Sequence, residues 1–474
     1  MKLSELLENR ISVSENLKNK EISLITDDNR KIVKDSLYVC IKGEKFDGHT
    51  VAEQALAQGA AAVVVDHDLG LGEQQILVSD TRDCYGMLCA AWFGHPEQKM
   101  KFIGVTGTNG KTTTTSVIKH ILTANGHKVG LIGTIQNEIG EEIVHTNNTT
   151  PLTFELMQLY DMMYRKGCDT VVMEVSSFGL VQKRIGQTHF DIAVFTNLTQ
   201  DHLDYHKTME NYYQAKKMLF SVCDKAVINT DDDYGKRLYQ EISCEKYSYG
   251  HTGDFACQPV SVKANGTEFM LNQEKISMLM TGYFNIANAT AAYAVCQLYG
   301  LEQKQILPAL QSCTGVRGRC EVIPTGKEFS VICDYAHTPD AIENILENVK
   351  LYTENNLICL FGCGGNRDKT KRPLMAQAAA KFADRLIITS DNPRDENPED
   401  IIQDILAGLK ESRTPYKVVT DRREAIAYAL KTAQAGDVIV LAGKGHEDYQ
   451  IFADNYHTHF DEREVVAEAL KELA

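Results

Sequence analysis

Between a strand-forming run, residues 101–106, and a helix-forming run that opens at Thr112 stands the turn Gly104-Val-Thr-Gly107-Thr-Asn-Gly110-Lys111-Thr112. A Gly-rich turn leading from a buried strand into a helix belongs to a parallel α/β sheet. Its backbone N–H groups point at whatever lies beyond the strand's carboxyl end. The glycines let the chain bend around phosphate oxygens, and the helix N-terminus adds its dipole. Lys111 supplies a point charge to terminal phosphates, and the Thr112 hydroxyl a ligand for Mg2+. The common pattern G-x-x-x-x-G-K-[ST] would need glycine at 105, where this chain has Val105; the glycines fall at 104, 107 and 110. A plain Gly-rich connection is the bland alternative, but Gly-Lys-Thr at a strand–helix junction favours phosphate.

The rest of the chain repeats the alternation. Its 474 residues correspond to about three domains. A first segment, 1–98, has short strands at 36–42 and 60–66, helices at 51–58 and 83–93, and a linker at His95-Pro96-Glu97. The central segment, 99–321, continues after a helix at 112–125 with buried strands at 170–174 and 191–197. The last segment, 322–474, places strands at 329–333, 357–361, 385–389, 416–419 and 438–441, with helical stretches between most of them. The fold expected is α/β in three domains: a small α/β N-terminal domain, a central P-loop-type parallel-sheet domain and a C-terminal Rossmann-like domain.

Charge and cysteine usage exclude several classes. Lys plus Arg number 49 against 64 Asp plus Glu, a net charge of −15, which argues against a general binder of nucleic acid or anionic lipid. An anionic substrate must be met by local basic groups. The 13 cysteines are scattered singly without a C-x-x-C pair, unlike disulfide scaffolds or zinc fingers, and fit free thiols in a reducing cytoplasm. No apolar run approaches the roughly 20 residues that span a bilayer, and the charged N-terminus lacks a signal peptide's apolar core. The chain is expected to be soluble and cytoplasmic, without membrane insertion.

The loops after the later strands narrow the chemistry. Glu174, ending Thr170-Val-Val-Met-Glu174, stands where a P-loop enzyme needs a Mg2+ ligand, although alone such a carboxylate is more often a solvated residue or a cap. His202, in Asn197-Leu-Thr-Gln-Asp201-His202, is either a surface histidine or a third member of that metal set. Thr208 can cap a helix whose apolar stripe is Met209, Tyr212, Tyr213, Leu219 and Phe220. Lys216 falls within that stripe while Lys217 points away. A lysine there either snorkels to the rim or is buried with a lowered pKa, and a neutral amine can take up CO2 as a carbamate. Gly282-Tyr-Phe-Asn285-Ile-Ala-Asn288 offers amides to a purine or simply starts a helix, and Asp334 suits a ribose hydroxyl. Gly362-Cys-Gly364-Gly365-Asn-Arg367 does not fit a dinucleotide site. With Asp391-Asn392-Pro393-Arg394 and Gly443-Lys444-Gly445-His446-Glu447 it forms a rim suited to a zwitterion with an extra carboxylate, though each piece alone could be a turn.

The ordered set GTNGKT, NNTTP, EVSS, NLTQDHLDYH, the helix with Lys216, DYAHTPDA, FGCGGNRDKTKRPLM, DNPR and GKGHE resembles the Mur ligases of peptidoglycan synthesis. Within them it resembles the branch that adds the third amino acid to UDP-N-acetylmuramoyl-L-alanyl-D-glutamate. GTNGKT alone marks only the wider family, folylpolyglutamate synthases included. The resemblance implies a UDP-sugar-binding domain at 1–98, an ATP-binding domain at 99–321 and an amino-acid-binding domain at 322–474.

It implies that Gly107, Thr108, Asn109, Gly110, Lys111, Thr112 and Thr113 hold ATP phosphates, with Asn288, Arg319 and Asp334 around the nucleotide. Thr112, Glu174, His202 and a carbamate on Lys216 would organise Mg2+; Lys111, Glu174, His202 and Lys216 would be the catalytic set. Asn29, Asn148, Thr149, Thr150, Ser176, Gln182 and Arg184 would hold the UDP-sugar dipeptide. Arg367, Asp391, Asn392, Pro393, Arg394, Gly443 and Glu447 would hold the incoming amino acid. The resemblance ties DNPR to meso-diaminopimelate, whose second carboxylate Arg394 can pair bidentately; L-lysine would leave that guanidinium unpaired. The partners implied are three small molecules, the enzyme acting as a monomer.

Two departures stand out. Phe178 replaces the histidine expected in EVSSHGL, which bears on substrate positioning or pace, and Asn29 replaces a serine whose hydrogen bond it can supply. The competing readings are a ligase of the same fold with another acceptor, such as L-lysine, and a non-catalytic paralogue that binds UDP-sugar and ATP.

Overall fold

The computed structural model describes every residue except Glu141, Thr146, Asn147, Ala264, Asn265, Leu473 and Ala474, so Asn147 of the NNTTP motif lies outside the described residues. The chain divides into two compact units, residues 1–248 with 294–300, and residues 249–293 with 301–474.

The first unit holds two sheets. β1 (Leu24–Thr26), β2 (Ser36–Val39), β3 (Ala62–Val65) and β4 (Gln75–Leu77) pair in that order, all parallel. β2 and β3 are buried along their whole length, which is why they read as unbroken apolar runs. The second sheet contains β5 (Lys101–Thr106), β6 (Val129–Ile132), β7 (Asn137–Ile139), β8 (Glu142–Val144), β9 (Thr170–Glu174), β10 (Phe190–Phe195) and β11 (Cys223–Asn229). Their order is β11-β10-β5-β9-β6-β7-β8, parallel from β11 to β6 and antiparallel at the β7–β8 edge. β5 lies between β10 and β9, with Thr106 opposite Phe195 and Val105 opposite Glu174. That register brings the carboxyl ends of three strands to one edge. The two sheets share a core in which the helix Thr81–Trp92 packs against the helix Thr153–Arg165. Phe102 of β5 sits edge-on to Tyr160 (4.8 Å) and Phe190 (6.5 Å), contacts contributing about 0.5–1.5 kcal/mol each beyond burial.

β12 (Glu245–Gly250) leads from the first unit into the second. There β13 (Phe255–Lys263), β14 (Gly266–Leu271) and β15 (Glu274–Met278) form an antiparallel meander. The last sheet comprises β16 (Glu321–Ile323), β17 (Ser330–Asp334), β18 (Leu357–Phe361), β19 (Arg385–Ile388), β20 (Tyr416–Val418) and β21 (Val438–Ala442). Its order is β16-β17-β21-β18-β19-β20, parallel except for β16, with helices between successive strands from β17 onwards. Here too the motif-bearing loops come directly after strand carboxyl ends. The α/β class, with small N-terminal, central P-loop and C-terminal Rossmann-like sheets, is as the sequence implies. No helix among the described residues is long and apolar enough to cross a membrane.

Candidate functional site

The turn after β5 is braced from β10. Thr108 N donates to Asn197 O (2.9 Å) and Asn109 N to Asn197 Oδ1 (2.8 Å), while Asn109 O accepts from Thr196 Oγ1 (2.6 Å). Gly107 has φ +152°, and a Cβ there would run into the Thr196 hydroxyl, so only glycine lets the two strand ends close up. Gly110, at φ +86°, heads the helix Lys111–Ala124, whose first turn holds Thr112 and the buried Thr113.

Lys111 folds back over this turn, its Nζ donating to Gly107 O (2.9 Å) and Thr108 O (2.8 Å). A second lysine arrives at the same carbonyl. Thr208 caps the helix Met209–Lys217 by accepting from Asn211 N (3.1 Å). That start turns Lys217 outward to Glu241 (2.7 Å) and Lys216 inward. Lys216 does not snorkel: only 2% exposed, its Nζ donates to Gly107 O (2.7 Å) and lies 4.5 Å from the centre of the Tyr212 ring. Burial holds its pKa well below the usual lysine range, Lys111 pushes it further down, and Asp201 offsets part of this.

Glu174, 1% exposed at the end of β9, accepts from Thr134 N (2.9 Å) and Thr134 Oγ1 (2.9 Å). His202 heads the short helix Leu203–His206 in the left-handed conformation and pairs with Asp201 at 3.4 Å. Its ring lies 6.1 Å from Tyr212, so His202 and Lys216 flank the same phenol. Phe178 packs against this segment, 4.3 Å from Tyr205, 5.1 Å from His202 and 5.6 Å from His206. The buried His206 in turn contacts Ser177 Oγ at 2.9 Å.

The donor set fits Mg2+ and a carbamate on two observations. Two amino groups converge on one carbonyl, an arrangement that an anion would relieve, and the buried Thr106 hydroxyl at the end of β5 has no partner among the described residues. Carboxylate, hydroxyl and carbamate oxygens are the hard donors that Mg2+ takes.

Beside β9, Thr150 ties a second group together. Its hydroxyl donates to Glu174 O (3.0 Å) and accepts from Ser176 N (2.9 Å), and its carbonyl accepts from Arg184 Nη1 (2.8 Å). Arg184 also holds Gln182 Oε1 through Nε (3.0 Å) and Nη2 (2.8 Å). Thr149 Oγ1 meets Thr134 Oγ1 at 3.1 Å, and the Ser176 hydroxyl caps the helix Ser177–Val181. Asn148, half-buried, precedes Thr149. Six of the seven residues assigned to the UDP-sugar dipeptide therefore lie along these linked segments. The seventh, Asn29, is half-buried in the short 3-10 helix Asn29–Lys31 after β1.

In the second unit, Asp334 ends β17 and accepts from Cys320 N (2.7 Å) and Ala336 N (2.8 Å). Burial raises its pKa against the opposing pull of Arg319 and these N–H groups. Arg319 lies over the Tyr335 ring at 5.0 Å, and Asn288, buried, donates to Asn285 Oδ1 (3.0 Å). A separate rim forms after β18, β19 and β21. Arg394 Nη1 donates to Gly365 O (3.0 Å) and Asn392 O (3.4 Å), whereas its Nε–Nη2 edge makes no bond among the described residues. Arg367, exposed, and Arg394 both flank Gly364, and Pro393 is buried. Asn392 Nδ2 donates to Glu447 Oε2 (2.9 Å), and Gly443 leaves room for Asp391 Oδ2, which a Cβ would approach to 2.6 Å. Although burial alone would raise the Asp391 pKa, Lys444 and Arg422 bring it below the usual carboxylate range.

Sequence reasoning passed over Thr134, and it gave Thr196, Asn197 and Lys444 no role of their own and read Tyr212 only as part of an apolar stripe, although all of them hold other protein groups. The signal was present for Thr134, since Gly133-Thr134 comes directly after the buried strand β6.

Three family models match the chain: "Mur ligase family, catalytic domain" over residues 21–91, "Mur ligase middle domain" over 105–296, and "Mur ligase, glutamate ligase domain" over 318–445. A protein of Caldanaerobacter subterraneus subsp. tengcongensis named UDP-N-acetylmuramoyl-L-alanyl-D-glutamate–2,6-diaminopimelate ligase is 45% identical over 464 residues, 96% of each chain. One of the same name from Bacillus cereus is 43% identical over 467 residues, 95% of this chain and 94% of its own. A solved structure of a ligase of that name superimposes with a TM-score of 0.75 at 32% identity, covering 100% of this chain and 99% of its own. With that likeness running the length of the polypeptide, and the P-loop turn, the buried lysine and the arginine rim in the places described, this chain belongs to the Mur ligase family.

Proposed function

We propose that the protein is the ATP-dependent ligase that joins meso-diaminopimelate to the D-glutamate side-chain carboxylate of UDP-N-acetylmuramoyl-L-alanyl-D-glutamate, through an acyl phosphate. The carboxylate attacks the γ-phosphorus of ATP and ADP leaves. The amine of diaminopimelate then attacks the acyl carbon, loses a proton and expels phosphate.

The chain's own groups supply binding and charge. The N–H groups of 107–113 and the Lys111 ammonium hold the phosphates, with Asn288, Arg319 and Asp334 around the nucleoside. Thr112, Glu174, His202 and Lys216 as a carbamate would hold Mg2+, which when bound neutralises phosphate charge. The low pKa of Lys216 supports the carbamate, because only the neutral amine adds CO2. Arg184, Gln182, Ser176 and the 148–150 segment orient the dipeptide, with Asn29 towards the uridine side. Asp391, Asn392, Arg394, Gly443 and Glu447, with Arg367, receive the amino acid. The 13 cysteines, scattered singly along the chain, support a reducing, cytoplasmic setting, and we infer a monomer acting on small molecules alone.

The observation that carries the acceptor is Arg394, whose outer Nε–Nη2 edge is left for a bidentate carboxylate while its inner nitrogen is tied down. Phosphate release from ATP, measured with the UDP-sugar dipeptide and either meso-diaminopimelate or L-lysine, tests this. Release is expected to require the dipeptide and to favour diaminopimelate by roughly 10⁴-fold in kcat/KM. A preference for lysine would remove the acceptor while leaving the ligase. Silence with both amino acids, from protein that binds ATP, would indicate a non-catalytic paralogue.

A further inference from the structure

Lys444 lies just beyond β21 in Gly443-Lys444-Gly445, and its side chain is completely buried. An ammonium has three protons and cannot be left without acceptors in such a place. Here all are used: Nζ donates to Asn392 Oδ1 (2.5 Å), Tyr449 O (2.8 Å) and Glu447 Oε2 (3.2 Å), with Asp391 Oδ1 paired at 3.3 Å. One cation thus sits among three of the side chains assigned to the amino-acid rim.

Its hold on Asn392 fixes more than that residue. With Lys444 and Ile451 N (3.0 Å) both donating to Asn392 Oδ1, the amide can face only one way, with Nδ2 towards Glu447 (2.9 Å). The backbone around Asn392 then sets Arg394. Asn392 O accepts from Gly365 N (2.9 Å) and from Arg394 Nη1 (3.4 Å), and Arg394 N donates to Ile451 O (3.0 Å). Arg394 itself is left-handed, at φ +51°, a conformation that persists for a large side chain only where its surroundings impose it. Lys444 grips both sides of that clamp, Asn392 on the turn and Tyr449 O on the strand Tyr449–Ile451.

We propose that Lys444 is a positioning residue for acceptor selectivity: it sets Asn392 and Glu447, and through Asn392 the strained turn that aims the Arg394 guanidinium at the second carboxylate of diaminopimelate. This rests on the function proposed above. Without the ammonium, Asp391 and Glu447 face each other's side of the rim with no cation between them, the Asn392 amide is free to turn, and Arg394 relaxes out of its left-handed state. The pocket then loses the feature by which it separates diaminopimelate from lysine, although the phosphate-binding turn after β5 is untouched.

The test is steady-state kinetics of Lys444→Met beside the unsubstituted enzyme, with each amino acid in turn and each of the other two substrates varied. Expected are a rise of about 50-fold or more in KM for diaminopimelate and a fall of about 100-fold in the diaminopimelate-to-lysine ratio of kcat/KM. KM for ATP and for the UDP-sugar dipeptide should stay within about threefold of the original values. Partial misfolding would scale kcat for both amino acids alike and leave the ratio alone. If Lys444→Met does not fold, Lys444→Gln, neutral but still a donor, is read the same way. A ratio within threefold of the original in a folded variant overturns the proposal while the functional reading stands. An unsubstituted enzyme indifferent to diaminopimelate overturns both.

Discussion

Lys216 places its amino group on the carbonyl of Gly107, buried and repelled by Lys111 across the same turn, so in the absence of CO2 it costs the fold stability. Replacing it by methionine should stabilise the protein by roughly 1–3 kcal/mol at pH 7 in CO2-depleted buffer, while lowering kcat by about 10³-fold or more. The direction of the shift sets the sign of the pH dependence. Because the folded-state pKa lies below the usual 10.5, the unfolded chain binds more protons in the window between the two values. Stability of the unsubstituted protein therefore rises with pH across that window, and the advantage of Lys216→Met shrinks towards pH 10.5. Urea denaturation at pH 7 and pH 9.5 measures this. A variant less stable than the original at both pH values would mean the ammonium is well paired, and the carbamate argument would lose its physical basis. Phe178 belongs to the same neighbourhood. Its ring fills the space beside His202, Tyr205 and His206, so under the proposed function a substitution at 178 acts on the reaction through the orientation of His202.

Elements matter here through their ends. β9 delivers Glu174, and the hydroxyl of Thr150, from the preceding loop, bonds both the carbonyl of Glu174 and the N–H of Ser176. Thr150→Val keeps the shape and removes both hydrogen bonds, a cost of about 1–3 kcal/mol. The same change frees the carbonyl segment that Arg184 holds, so KM for the UDP-sugar dipeptide should rise about 10-fold with KM for the amino acid unchanged. Loss of stability with an unaltered KM would make Thr150 only a strut. The strands that carry these groups were legible because they are buried on both faces: the runs at 101–106, 170–174 and 357–361 appear as β5, β9 and β18 with the same bounds. The meander β13–β15 was not. Its strands alternate apolar and polar residues weakly, a bulge falls between Pro259 and Ser261, and the tight turn uses Asn272 and Gln273 at positive φ without a glycine to mark it. The site shows the same split. Residues assigned to a ligand stand in motifs directly after strands; Thr196, Asn197 and Lys444 stand directly after strands too, yet they act on other protein groups. Their importance lies in distances that spacing along the chain does not encode.

At the scale of the whole molecule, a chain of net charge −15 has to bind two polyanions and a zwitterion, so each site must be locally basic against the general field. The basic groups are divided accordingly: Lys111 and Arg184 lie in the first unit, Arg319, Arg367, Arg394 and Lys444 in the second. Every residue assigned to the amino acid belongs to the second unit, so meso-diaminopimelate should protect only that unit's loops from amide hydrogen exchange. Mg-ATP should slow exchange at 107–113. Meso-diaminopimelate alone should slow it at 364–367, 391–394 and 443–447 and leave the first unit's exchange as it was. At a ligand concentration about 100 times Kd, stabilisation of the bound form is worth roughly 2.7 kcal/mol, which bounds the slowing at about 100-fold for amides that exchange through opening of the bound loop. Buried strand amides that open only when the unit unfolds, such as those of β18, should obey the same limit, and those of β5 should not respond to diaminopimelate at all. Protection by diaminopimelate confined to 107–113, or to the Arg184 segment, would place the amino acid in the first unit. It would detach Arg394 from acceptor recognition, whatever the enzyme's preference between amino acids.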